Sequence, residues 1–118
     1  MVFSLLFIGT GMFLHKYNLV FENHSDHDVL LQVQFNNAGK DSVYLVKPGH
    51  NKVIVETQTL KKKTKNQLCK EFINDLNELN LFFSDGSGFV NLIETKDEWL
   101  LISDKKQKKI CIVFSDDK

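Results

Sequence analysis

The amino-acid sequence predicts a mainly β protein, an antiparallel β-sandwich of seven to eight short strands with one inserted amphipathic helix. Apolar residues recur with a period of two in short segments, and turn-forming residues separate these segments. Two segments, residues 89–93 and 99–102, are apolar on both faces and need cover from both sides. The alternative is an α+β arrangement, a single antiparallel sheet with the helix packed across one face.

The N-terminal half predicts a meander of four antiparallel strands. These strands comprise residues 17–22, 29–35, 42–46 and 52–57. The strand 29–35 is half-buried, because Val29, Leu31 and Val33 share one face while Leu30 and Gln32 lie on the other. A polar cluster at 23–28 predicts a hairpin turn, and Pro48-Gly49 suits the central positions of a type II turn.

The period then changes to that of a helix over about residues 65–79. Apolar residues fall on one helical face at Leu68, Cys69, Phe72, Ile73, Leu76 and Leu79. Thr64 is a candidate N-cap with Gln67 three residues later, the spacing of a capping box. The sequence therefore predicts one amphipathic helix inserted after the fourth strand.

The C-terminal part returns to strands. Residues 81–83 lead into the glycine-containing turn 84–88, and a strand is predicted over 89–94. The segments 99–103 and 109–114 predict a final hairpin.

One stretch carries a family resemblance. Phe21-x-Asn23-x-Ser25, followed by an alternating strand and then by Leu45-x-x-Pro48-Gly49, resembles the opening of many immunoglobulin-like β-sandwich domains of exported bacterial proteins. The resemblance covers about 35 residues of turn chemistry and implies an immunoglobulin-like sandwich without implying an activity.

Residues 1–14 form an uncharged hydrophobic segment ahead of a single globular domain, residues 15–118. The segment is too short to cross a bilayer as a helix, but it matches the apolar core of a signal peptide. We expect an export signal or membrane anchor. The alternatives are a first core strand, for which Gly9 and Gly11 suit a bend, and a segment in the membrane interface.

The charged residues argue against a nucleic-acid partner. All 15 basic side chains are Lys, no Arg is present, and the formal net charge is zero. Recognition of phosphates and base edges relies on guanidinium groups, and non-specific binding needs positive charge. No nucleophile elbow, phosphate loop or other catalytic motif is present in the sequence, so we expect a non-enzymatic protein without a cofactor.

Histidines in two turns form a candidate metal site. His24 and His27 lie in the polar turn beside Asp26 and Asp28, and His50 follows the Pro-Gly turn. In a meander these two turns share one end of the sheet, so the three imidazoles are candidate ligands for zinc or copper. The alternative is an ordinary solvated turn, which uses the same residue types.

The two cysteines, Cys69 and Cys111, are far apart in the sequence and match no metal or redox motif. They are either two free buried thiols or, in an exported protein, a disulfide between the helix and the last strand.

These observations lead to three hypotheses about function. The first is a structural or accessory subunit that binds other protein subunits in a bacterial cell-envelope or secretion assembly, located in the periplasm or envelope, with membrane contact through residues 1–14. The second is a periplasmic metal-binding module that uses the histidine turns. The third is a cytoplasmic inhibitor or immunity-type binding protein, with residues 1–14 folded into its core.

Overall fold

A computed structural model describes residues 14–36, 41–104 and 107–115. The elements are β1 (His15–Asn23), β2 (Val29–Phe35), β3 (Asp41–Val46), β4 (Asn51–Thr59), α1 (Lys65–Asp75), β5 (Leu76–Phe83), β6 (Phe89–Asn91), the 3₁₀ helix η1 (Leu92–Glu98), β7 (Leu100–Ser103) and β8 (Lys108–Phe114).

The strands form two four-stranded sheets, with the order β4-β1-β8-β7 in sheet A and β3-β2-β5-β6 in sheet B. The predicted β-sandwich is confirmed, and the alternative of a single sheet is wrong. The predicted four-strand meander is also wrong, because β1 and β2 lie in different sheets and β1 pairs instead with β4 and β8. The β1–β8 pairing is parallel, so the sheets are not wholly antiparallel.

The core lies between the two sheets. Alternate side chains of the strands in both sheets point into this core. The fully buried ones include Tyr17, Leu19, Phe21, Leu31, Val33, Leu79, Leu81 and Ile110. Trp99, the single Trp of the chain, is also buried, at 1% exposure. The alternation in the sequence thus separates core from surface, as antiparallel strands with one buried face require.

The helix α1 is shorter than predicted. It begins after the N-cap Thr64, where the predicted capping box is present, and it ends at Asp75. Residues 76–79, predicted as its last turn, start strand β5 and pair with β2. The three-residue spacing of Leu76 and Leu79 fits a helical period and not a strand period. Both are nevertheless buried in β5, because a β-bulge opposite Gln34 and Phe35 adds one residue between them.

The predicted strand 89–94 is also shorter, since β6 ends at Asn91 and η1 begins at Leu92. Asn91 caps this 3₁₀ helix by accepting a hydrogen bond from the backbone N–H of Ile93. The predicted hairpin between 99–103 and 109–114 is confirmed as the antiparallel pair β7–β8.

The hydrophobic segment falls outside the described residues, apart from Leu14, and so does the end of the tail at 116–118. Among the described residues, no helix has the length and apolar character needed to span a bilayer.

Candidate functional site

The turns that carry the predicted histidine site lie side by side at one end of the sandwich. The backbone N–H of Asn23 donates to the carbonyl of His50 at 3.0 Å, and the N–H of Gly49 donates to the carbonyl of Asn23 at 2.8 Å. Gly49 adopts a φ of 79°, and His50 donates to the carbonyl of Lys47, as a type II Pro-Gly turn requires. The two turns therefore share one end, as the sequence predicts.

The side chain of Asn23, which is fully buried, organises this end. Its Nδ2 donates to the carbonyls of His27 at 2.8 Å and Val46 at 2.9 Å. Its Oδ1 accepts from the backbone N–H and the hydroxyl of Ser25, at 2.9 and 2.6 Å. Asn23 and Ser25 therefore have a structural role, which is to satisfy buried backbone groups where β1 leaves its sheet.

The histidines do not form a metal cluster in the described part of the chain. No group of three or more His, Cys, Asp or Glu side chains there is placed to hold a metal ion. His24 directs Nε2 to the Glu22 carboxylate at 3.0 Å instead. The three predicted ligands His24, His27 and His50 share an end of the sandwich, and turn geometry accounts for that proximity.

The two cysteines are buried free thiols, Cys69 on α1 and Cys111 on β8. Burial raises the pKa of the Cys69 thiol. Burial is the largest cause that raises the pKa of Cys111 to about 11, and the nearby Glu22 carboxylate is the second. Both thiols therefore stay protonated near neutral pH, the state in which cysteine is a poor nucleophile and a poor metal ligand.

Glu22 is the centre of a small polar cluster on the outer face of sheet A. It accepts from Lys109 Nζ at 3.2 Å, from His24 at 3.0 Å and from the Cys111 thiol at 3.5 Å. Burial alone would raise the pKa of Glu22, but these hydrogen bonds outweigh it and hold the pKa below its ordinary value. Glu22 is thus an ionised structural acceptor and lacks the raised pKa of a general acid.

The outer face of sheet B carries an apolar row that crosses all four strands. Leu45 on β3 is in register with Leu30 on β2, Leu30 with Phe82 on β5, and Phe82 with Phe89 on β6. Leu45 and Phe89 are 54% and 59% exposed. The rings of Phe82 and Phe89 lie 5.4 Å apart in a tilted arrangement. We call these four side chains the apolar row.

The other half of the same face is a hydrogen-bonded network of amides. Asp41 accepts from Gln32 and, at 2.7 Å, from Gln34. Gln32 accepts in turn from Asn80 at 2.8 Å, and Gln34 accepts from Asn77. We call these five residues the amide half. The network joins β3, β2 and β5 and restricts the side chains beside the apolar row.

Sequence reasoning missed the apolar row as a site, although its signal is present. Leu30 lies on the face of β2 that also holds Gln32 and Gln34, so it is an apolar residue on a polar face. Phe82 occupies the equivalent place on β5, where the neighbouring outward position is Asn80. Apolar residues at outward positions of adjacent strands indicate a contact surface, but only once the strand pairing is known.

A scan of protein-family models finds no match to the chain, and a search of curated proteins finds no similar sequence.

Proposed function

We propose that this protein is a non-enzymatic accessory subunit that acts by protein–protein interaction, and that the apolar row on sheet B is its contact surface. The observation that carries the proposal is the row itself, four apolar side chains in register across one exposed sheet face. Val43, 59% exposed, extends it along β3. Contiguous apolar surface of this kind marks interaction sites, whereas single exposed apolar residues are ordinary.

The composition of this face supports a protein partner. A protein interface combines an apolar centre rich in aromatic residues with a polar rim. The aromatic pair Phe82–Phe89 and the neighbouring leucines supply the apolar centre, and the amide half lies along one side of it.

The proposal places the subunit in a cell-envelope or secretion assembly. Its support is the sequence of residues 1–14, whose length and lack of charge match the apolar core of a signal peptide. N-terminal sequencing of the protein recovered from each cell fraction of its host tests this part. A chain that begins near His15 in the envelope fraction supports export, whereas an intact Met1 in the cytosol contradicts it.

A matched pair of substitutions tests the contact surface. Leu45 and Leu100 are both 54% exposed and lie on edge strands of opposite sheets. In host extracts analysed by size-exclusion chromatography, we expect the native chain and Leu100→Asp to migrate within a larger complex. We expect Leu45→Asp to shift to the size of the free chain, because its charge enters the apolar contact.

Thermal melts of the purified variants are the control for folding. Equal elution of Leu45→Asp and Leu100→Asp, with both variants folded, would show that the apolar row is not the contact surface.

A further inference from the structure

We infer that the partner covers the apolar row with an amphipathic α-helix whose Lys or Arg flank lies over the amide half. This inference rests on the proposed function and adds to it the chemistry of the partner. It follows from the spacing of the row, from the charges beside it and from the poor fit of a second copy of the chain.

The spacing of the row fits a helix. Paired strands lie about 4.8 Å apart, so the row from Leu45 to Phe89 spans about 14 Å across three strand spacings. A helix returns to the same face about every 5.4 Å along its axis, one turn, whereas an extended chain does so about every 6.8 Å. Four apolar residues, each one helical turn from the next, therefore match the spacing of the four strands more closely than alternate residues of an extended segment do.

The charges beside the apolar row favour a basic flank on the partner helix. Asp41 and Glu78 are exposed on the same half of the face, where Glu78 is in register with Gln34. The outward positions of the described strands of sheet B hold no Lys or His. This half of the face, which comprises the amide half and Glu78, is thus acidic, although the whole chain has a formal net charge of zero. A partner with Lys or Arg on this side gains attraction, and one with Asp or Glu is repelled.

A second copy of the chain fits this face poorly. A twofold axis along the strands would place Asp41 and Glu78 of one copy opposite the same two acids of the other. A dimer with its twofold axis along the row would bring only the two apolar rows into contact and leave both amide halves uncovered.

Two synthetic helical peptides test the inference. Both carry the same stripe of four Leu and Phe residues, and they differ only in one flank, which holds three Lys in the first and three Glu in the second. Binding to the full chain is measured by fluorescence anisotropy at low and at high salt. We expect the Lys peptide to bind at least ten-fold more tightly than the Glu peptide. We expect salt to reduce this ratio, since exposed charges are screened.

Variants of the chain separate the two parts of the surface. Glu78→Lys should weaken binding of the Lys peptide several-fold and strengthen binding of the Glu peptide. Glu56→Lys, an exposed strand residue of the other sheet, should leave both unchanged. Phe89→Ser should weaken both peptides, and Leu100→Ser should weaken neither. Circular dichroism melts establish that each variant is folded.

Equal affinity for the two peptides, or no effect of Glu78→Lys, overturns the basic flank. If neither peptide binds, the inference of a helical partner is overturned. Neither result affects the proposed function, which the elution of Leu45→Asp and Leu100→Asp tests in extracts without any peptide. Self-association of the chain through this face, detected by sedimentation and abolished by Leu45→Asp, would also overturn the inference.

Discussion

At the scale of single residues, Asn23 shows how a short sequence motif becomes structure. The Phe21-x-Asn23-x-Ser25 pattern places one apolar side chain in the core and two polar ones at the exit of β1. Asn23 then bonds backbone or side-chain groups of Ser25, His27 and Val46. Its identity is required because no other side chain of this size supplies two amide donors and an acceptor together.

Replacing Asn23 with Ala tests this role. We expect Asn23→Ala to lower the free energy of unfolding by about 2 to 4 kcal/mol, because it removes the buried hydrogen bonds to the Ser25 N–H and the Val46 carbonyl. Urea denaturation followed by circular dichroism measures the change. Asn66→Ala, at an exposed position of α1, is the matched control and should change the free energy by less than about 0.5 kcal/mol. Similar values for the two variants would refute the structural role.

At the scale of elements, the helix α1 separates what the sequence can predict from what it cannot. Its start is a local signal, since the Thr64 hydroxyl accepts from the backbone N–H of Gln67 at 3.2 Å and Gln67 Oε1 accepts from the backbone N–H of Thr64 at 2.9 Å. The position of its C-terminal end depends on tertiary pairing and not on a local signal. The N–H of Leu76 still bonds the carbonyl of Ile73, but Leu76 itself is extended and pairs with Phe35 of β2.

The cap makes a quantitative prediction. Thr64→Ala should destabilise the protein by about 1 kcal/mol, because the first turn of α1 loses an acceptor for its free N–H groups. Thr64→Ser keeps the hydroxyl and should retain most of the stability. The midpoint of urea denaturation measures both variants. A Thr64→Ser variant as unstable as Thr64→Ala would exclude the hydroxyl as the cause.

The positions of most strands, the inward or outward direction of their side chains and the β7–β8 hairpin were predictable, whereas pairing between distant strands was not. The sequence correctly places Val43 and Leu45 on the face opposite Tyr44 and Val46. It cannot indicate that Leu45 lies beside Leu30, since register between strands depends on tertiary pairing. The apolar row exists only in that pairing, and for this reason periodicity alone did not reveal the candidate site.

At the scale of the whole molecule, the two sheets depend on one shared core. Sheet A contributes Leu19 and Ile110 to it, sheet B contributes Leu31 and Leu81, and all four are fully buried. Neither sheet retains a covered apolar face without the other. The sandwich should therefore unfold as one cooperative unit, as small single domains usually do.

A substitution in one sheet tests this dependence with a reporter outside that sheet. Leu81→Ala in sheet B should cost about 2 to 5 kcal/mol through the cavity that it leaves. The fluorescence of Trp99, which precedes β7 of sheet A, and the far-UV circular dichroism should shift to the same lower denaturant midpoint. Leu60→Ala, at a residue 54% exposed, should shift neither. Separate midpoints for the two signals would contradict a single unit.

The parallel pairing of β1 with β8 has a consequence for the order in which the protein forms. Asn18 lies opposite Lys109 and Asn23 opposite Phe114, so the first and last described strands are neighbours in the middle of sheet A. All four strands of sheet B precede β8 in the chain and are synthesised earlier. During synthesis, sheet A has a gap at its centre until the ribosome releases β8, and contacts between such distant segments form slowly. Until then β1 lacks a neighbour along one side, and its exposed backbone is a target for chaperones or for aggregation.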